Sequence, residues 1–260
     1  MFLGSGPIRV ARRDEADVDV ETRVERVMDC QLMVSGNDWA FAREHAGLIE
    51  AHWQKRRVTN PGYFNGVVYA MADENRADLR RAVEGGVLSA QMVATDFKSF
   101  LYWKEAGYPK AGVRDAFGSA ILRSREGHVI LGRQRPGNIN GGQAYLPGGF
   151  IDQRDVSADG TIDIGASIAR ELAEETGLTA AEVDTVPGFR IIWIGHQVSM
   201  AREFSSTLSA DELRAVILSR IGADGEAELV DIVIARSLAD LHGANVPPYT
   251  ALALEHVFAG

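Results

Sequence analysis

The segment Arg170-Glu171-Leu172-Ala173-Glu174-Glu175-Thr176-Gly177-Leu178 constrains this chain more than any other, because few structures satisfy it. Read as a helix, it sets Glu171, Glu174 and Glu175 at i+3 and i+4 steps, so three carboxylates share one face. Gly177 tolerates the left-handed turn that ends a helix, which puts the acids in the last two turns. The helix dipole is negative there, and each carboxylate is disfavoured by roughly 0.3–1 kcal/mol without compensation. A divalent cation reverses that sign. An exposed helix pairing Arg170 with Glu174 accounts for one carboxylate and leaves two repelling.

Around this helix the pattern alternates strand and helix. Asp115 to Arg123 and His128 to Gln134 read as strands joined by the turn-like Ser124-Arg125-Glu126-Gly127. A Gly/Asn-rich loop from Gly137 to Gly142 leads to a short strand ending at Leu146, and Leu146-Pro147-Gly148-Gly149 follows. The acidic helix is expected over Ile164 to Thr176, with Asp163 and Thr161 as candidate caps. Phe189–Ile194, Gln197–Ser206 and Glu228–Ala235 read as strands. Ser209 with Glu212 resembles a capping box that opens a helix to about Ile221, and Pro247-Pro248 begins a final helix. The first 112 residues differ: a helix over Asp38 to Val58 carries Trp39, Phe41, Leu48 and Trp53, and another is expected over Asn75 to Val83.

The segment from Arg170 to Leu178 resembles the second half of the Nudix signature, G-x5-E-x7-R-E-U-x-E-E-x-G-U with U aliphatic, at every specified position. Leu146-Pro147-Gly148-Gly149 is similar to the family's entry loop. Twenty residues separate Gly149 from Arg170 where the pattern has thirteen, so seven are inserted. Counting forward from Gly149, the first acidic position falls on Asp155; counting back from Arg170, it falls on Ile162, next to Asp163. The turn formers of residues 155–160 predict a lengthened surface loop. The resemblance implies an α/β fold, a Nudix-type α/β/α sandwich with a mixed sheet over residues 113–260. A smaller α+β amino-terminal region over residues 1–112 precedes it. Two segments of that region, Thr59-Asn60-Pro61-Gly62-Tyr63-Phe64-Asn65-Gly66 and Thr95-Asp96-Phe97-Lys98-Ser99-Phe100-Leu101, resemble a Nudix subgroup that hydrolyses UDP-glucose and UDP-galactose. The plainer reading makes Phe64, Phe97 and Phe100 core anchors and Asn65-Gly66 a hairpin turn.

By this resemblance Glu171, Glu174 and Glu175 bind Mg2+, with Mn2+ as a substitute, and Glu171 or Glu174 also orients or deprotonates water. Oxygen ligands suit these hard cations. Arg170 resembles the family arginine that pairs with a signature glutamate and fixes the loop. Gly149 lets the backbone pass close to metal and substrate, where a side chain would obstruct. Arg133 and Arg135 lie two apart, on one face if the strand continues, and guanidinium forks suit a diphosphate; surface ion pairs are the alternative. Glu203, Glu226, Glu228 and Asp231 are candidates for a further ligand or base. Tyr145 is expected to pack in the sheet, and a lone His196 is more often structural than catalytic.

The expected activity is hydrolysis of a small nucleoside diphosphate derivative, first a nucleotide sugar, with ADP-ribose or a dinucleotide second. A non-catalytic nucleotide-binding module is the rival from another class. A net charge of −9 argues against a nucleic-acid partner. No apolar run approaches a membrane span, the start lacks a signal-peptide pattern, and Cys30 has no second cysteine to pair with, so the cytoplasm is the expected location. A homodimer is compatible with the resemblance.

Overall fold

The structure, a computed structural model, describes residues 22–73, 83–137, 140–221 and 227–259. Strands β1 (Thr22–Val27) and β2 (Asp29–Val34) open it, followed by helices α1 (Ala40–Glu44) and α2 (Ala46–Thr59). Next come β3 (Val67–Ala72), β4 (Val83–Glu84), β5 (Val87–Asp96) and α3 (Phe97–Glu105). The later chain supplies β6 (Val113–Arg123), β7 (Val129–Gln134), β8 (Ala144–Tyr145), β9 (Thr161–Ile162) and α4 (Ile164–Thr176). It ends with β10 (Asp184–Thr185), β11 (Phe189–Ile194), β12 (Gln197–Ser205), α5 (Ala210–Ile221), β13 (Leu229–Ala235) and α6 (Pro248–Phe258).

These strands form a mixed sheet, and helices cover it. Strand β6 is its hinge: it runs parallel to β12 along Asp115–Arg123, antiparallel to β7 at Leu122 and Arg123, and antiparallel to β3 at Val113 and Arg114. Side chains alternate along β6, which decides what packs on each face. Gly118 faces α4, where a Cβ would come within 2.6 Å of Ile168 Cγ1. Phe117 faces the other way, onto Tyr249 of α6 at 4.8 Å between ring centroids. Ile164, Ile168 and Leu172 recur every fourth residue and are buried, so the apolar stripe of α4 lies on the sheet while its acidic face is turned aside. This is the α/β/α sandwich that the resemblance implies.

The amino-terminal strands share this sheet. β1 pairs antiparallel with β11 from Thr22↔Ile194 to Val27↔Phe189. The segment between Gly149 and α4 is more than a surface loop: β9 pairs with β2 at Leu32 and Met33, and residues Gln153–Asp155 form a 3-10 turn. Two apolar clusters result. The larger joins Leu32, Met71 and Leu88 to Ile121, Ile130 and Leu172; the smaller is an aromatic group around Trp39, Phe100 and Trp103.

Some expectations require correction. The helix expected over Asp38 to Val58 is two, broken at His45 (φ −106°, ψ 13°). Of the helix expected over Asn75 to Val83, residues 75–82 lie outside the described residues, and Val83 begins β4. Phe64 is no core anchor, being 81% exposed. Asn65-Gly66 makes no hairpin: Asn65 Nδ2 donates to Asp96 Oδ2 (3.0 Å) and its Oδ1 accepts from Lys98 N–H (2.8 Å), so it helps cap α3. Thr161 stands in β9, and Asp163 alone caps α4, accepting from Ala166 N–H at 2.9 Å.

Candidate functional site

The acidic helix ends as its sequence requires: Gly177 takes a left-handed φ of 70°. Across its last two turns the three glutamates meet different surroundings. Glu175 is buried, accepting from Tyr145 O–H at 2.5 Å and from Gly148 N–H at 3.1 Å. Tyr145 is thus packed, as expected, but its hydroxyl also holds an acid in place. Glu171 is 14% exposed and Glu174 49%. Gly149 lies against Glu171: a Cβ there would overlap the carboxylate, so the bare backbone is what lets the loop approach. Gly148 is tighter still, because its Cβ would strike the backbone of Gly118 and Ser119.

Of the two candidates for the first acidic position, Asp155 is the one that meets Arg170. Arg170 Nη2 lies 3.0 Å from Asp155 Oδ1, whose side chain is 3% exposed, and 3.2 Å from Glu171 Oε1. Asp155 also accepts from Asp152 N–H at 2.9 Å. Burial pushes the Asp155 carboxyl up, against the Asp152 N–H and Arg170. Asp163, the other candidate, is spent on the cap. The contact with Arg170 is thus made by the acid that the forward count from Gly149 picks out.

Two residues of this loop escaped the sequence reading. Arg154 donates from Nη1 to Glu174 Oε1 at 3.0 Å and from Nη2 to Asp152 Oδ2 at 2.7 Å, while Nη2 stands 3.8 Å from Glu171 Oε1. Asp152 caps the 3-10 turn and anchors this arginine. The available signal was adjacency: Arg154 directly precedes the forward-counted acidic position.

Electrostatics mark the cluster as short of positive charge. The Glu171 carboxyl is pushed up to about 7, chiefly by burial, with Arg170 and Arg154 opposing and Glu174 and Glu228 adding to the rise. The Glu175 carboxyl is raised by burial and further by Glu228 and Glu171. Glu228 itself is raised by lost hydration and by Glu174, so of the candidate extra acids among the described residues it is the one coupled to the cluster. Glu203 is occupied by Arg190 (2.6 Å) and Arg123 (3.2 Å); Asp231 by Arg214 (2.9 Å). Glu226 lies outside the described residues. Arg133 Nη1 donates to Gly142 O at 3.3 Å, with Nε 4.0 Å from Asp231, and Arg135 Nε donates to Ala227 O at 2.8 Å. His196 stacks on Tyr108 at 5.5 Å, and burial and Arg114 hold its imidazole below the ordinary range. Cys30 is half-buried, with its thiol pushed up to about 12 by burial, so it is a poor nucleophile.

As the side chains stand, no three His, Cys, Asp or Glu residues among the described residues are gathered to hold a metal, and arginines fill the gaps. The donor set still fits a hard divalent cation. It is all carboxylate oxygen, two of its acids are raised by burial and mutual repulsion, and Gly149 puts no side chain over Glu171. Among the described residues no helix is long and apolar enough to cross a membrane.

Residues 113–220 match the NUDIX domain family. Among solved structures, the chain is similar to a Nudix hydrolase from M. smegmatis, RenU, at 15% identity over 56% of this chain and 84% of that one, TM-score 0.37. It is similar to a MutT protein from Methanosarcina mazei Go1 at 22% identity, covering 56% and 93%, TM-score 0.35. A bifunctional NMN adenylyltransferase/ADP ribose pyrophosphatase from Francisella tularensis matches at 14% identity, covering 62% and 45%, TM-score 0.37. Among curated proteins none matches the chain. Residues 113–220 thus carry a NUDIX domain in which every acidic position of the helix is intact.

Proposed function

We propose that this NUDIX domain hydrolyses a nucleoside diphosphate linked to a sugar, UDP-glucose in type, to a nucleoside monophosphate and a sugar 1-phosphate. Water adds to one phosphorus, the phosphoanhydride P–O bond breaks, and the water's proton is released. The observation that carries the phosphate chemistry is the carboxylate face of Glu171, Glu174 and Glu175 against bare Gly149, with more buried negative charge than its arginines offset. Mg2+, or Mn2+ in its place, held by Glu171, Glu174 and Glu175 would neutralise the diphosphate and help ionise the attacking water. Glu171 and Glu174 flank the platform, and either accepts the water's proton; Glu174 is the more open to solvent. Arg170 orients the helix and loop through Asp155. Arg133 and Arg135 are assigned to the diphosphate, for which their forks are suited.

The sugar-nucleotide part rests on the amino-terminal region, residues 1–112, which we take as the substrate-selecting unit of the chain. Its two family-like segments are tied together by Asn65 with Asp96 and Lys98. Phe97 and Phe100 stand 5.9 and 5.0 Å from Phe150, the residue after Gly149, and Val68 bridges to Asp152. That contact with the entry loop supports a role in selection. The deciding experiment incubates the protein with nucleotide sugars, ADP-ribose, dinucleoside polyphosphates and nucleoside triphosphates, with Mg2+ or EDTA, and identifies products. Turnover of UDP-sugars only with Mg2+ is expected. Cleavage of ADP-ribose with UDP-sugars untouched would sink the sugar assignment, and no turnover across the panel would favour a nucleotide-binding module.

A further inference from the structure

Arg170 and Arg154 both touch the acidic face, but they are built differently. Arg170 is 24% exposed and committed to the buried Asp155, so removing it would strand a charge. Arg154 is 56% exposed. Its Nε and Nη2 edge is fixed on Asp152, with Nε 3.0 Å and Nη2 2.7 Å from Oδ2, within the capped turn Gln153–Asp155. Its other edge reaches the catalytic acids, Nη1 to Glu174 Oε1 at 3.0 Å, with Nη2 3.8 Å from Glu171 Oε1. A divalent ion on these glutamates would draw on the same oxygens that Arg154 holds. Guanidinium and metal therefore compete.

The competition is uneven. The Arg154–Glu174 contact is an exposed pair, which is weak in water, whereas a divalent ion interacts with several carboxylates at once. Losing Glu174 costs Arg154 little, because Asp152 still holds the other edge. The released Nη1 edge then stands beside the acidic face with no carboxylate to satisfy. A diphosphate drawn to that face would offer anionic oxygens of the kind guanidinium forks bind best.

We propose that Arg154 is a displaceable cation of the site: it holds Glu174 and Glu171 in the metal-free chain, yields them to a divalent ion, and then donates its freed N–H edge to the substrate's diphosphate. This rests on the acidic face being the metal platform. The consequence is a pair of opposite effects from one substitution, which a merely structural surface arginine would not produce.

The test measures Mn2+ binding to the full chain by electron paramagnetic resonance or calorimetry, with no substrate present. Arg154→Ala and Arg154→Gln are expected to bind Mn2+ about two- to fivefold more tightly than the parent, the range an exposed ion pair supports. At saturating Mn2+, binding of α,β-methylene-UDP or α,β-methylene-ADP, whichever the parent holds, should weaken about tenfold or more in both variants. Glu174→Gln is the control for the platform. If it binds Mn2+ as well as the parent, the platform fails and takes the proposal with it. If it weakens Mn2+ binding while the Arg154 variants bind Mn2+ no better than the parent, the platform stands and the displaceable role is overturned. Tighter Mn2+ with unchanged analogue binding would overturn the diphosphate contact.

Discussion

Replacing Glu171 with Gln should stabilise the metal-free protein at alkaline pH. Its carboxyl rises from the ordinary 4.5 to about 7, mainly because burial strips its hydration, with Glu174 and Glu228 repelling it and the two arginines only partly offsetting. At about 1.4 kcal/mol per pH unit, the ionised form costs the folded state about 3 kcal/mol. The carboxyl is 14% exposed, so screening by solvent is modest. The sign follows from linkage. Below about pH 4.5 the group is protonated in folded and unfolded chains, and it costs nothing. Between 4.5 and about 7 the unfolded chain ionises first, and stability is lost as pH rises through the folded value. Gln is neutral throughout and has no such loss. Thermal melts in EDTA should therefore show Glu171→Gln about 6–12 °C more stable at pH 8 and near the parent at pH 4.5, at roughly 2–4 °C per kcal/mol for a chain of this size. Mg2+ should then raise the parent's melting temperature and leave the variant's nearly unmoved. A variant less stable than the parent at pH 8 in EDTA would refute the reasoning, as would a gap of the same size at pH 4.5 and pH 8.

The other expectations concern the groups around that carboxylate. Gly148→Ala forces a Cβ onto the backbone of Gly118 and Ser119, so denaturant melts should show a loss of about 1–3 kcal/mol or more. Gly149→Ala meets only a side chain, the Glu171 carboxylate, so Mn2+ affinity should fall about tenfold with a smaller change in stability. Equal stability losses in the two would contradict the distinction. Arg170→Ala leaves the buried Asp155 carboxylate without its partner and should cost about 3–5 kcal/mol; Asp155→Asn in the same chain should return part of it. Phe150→Ala removes ring contacts to Phe97 and Phe100 and should destabilise by about 2 kcal/mol, with kcat/KM for the preferred substrate falling more than Mn2+ affinity. Undiminished kcat/KM would separate the amino-terminal region from the entry loop's function.

Local signals explain why so much was legible before folding. The boundaries of α4 follow from its Asp163 cap, its four-residue apolar spacing and Gly177, all of which act within one helix. Likewise β11 runs over Phe189–Ile194 as its β-branched and aromatic run predicts, and Pro248 opens α6. The misses have a different character. The break between α1 and α2 falls at His45, two residues before Gly47, and an isolated glycine inside a helical pattern does not by itself mark a break. Phe64 is 81% exposed while the adjacent Tyr63 packs on Trp53 and Phe97, a choice between neighbouring aromatics that no local pattern makes. Arg154 went unmarked, because nothing in a linear count shows that an arginine ahead of α4 reaches Glu174.

By itself, the order of residues determined that three carboxylates share one face of a helix, because that depends only on helical spacing. It also determined the sandwich, whose strands and helices are encoded in short-range periodicity. Only the tertiary structure decided which acid answers Arg170, because the choice between Asp155 and Asp163 turns on a loop path that sequence distance does not measure. Folding also brought Glu228, Arg154 and Phe150 to the acidic face or its entry loop. Those contacts join positions far apart in the chain, and their energies come from burial and charge proximity that arise only once the sheet and its insertions have assembled.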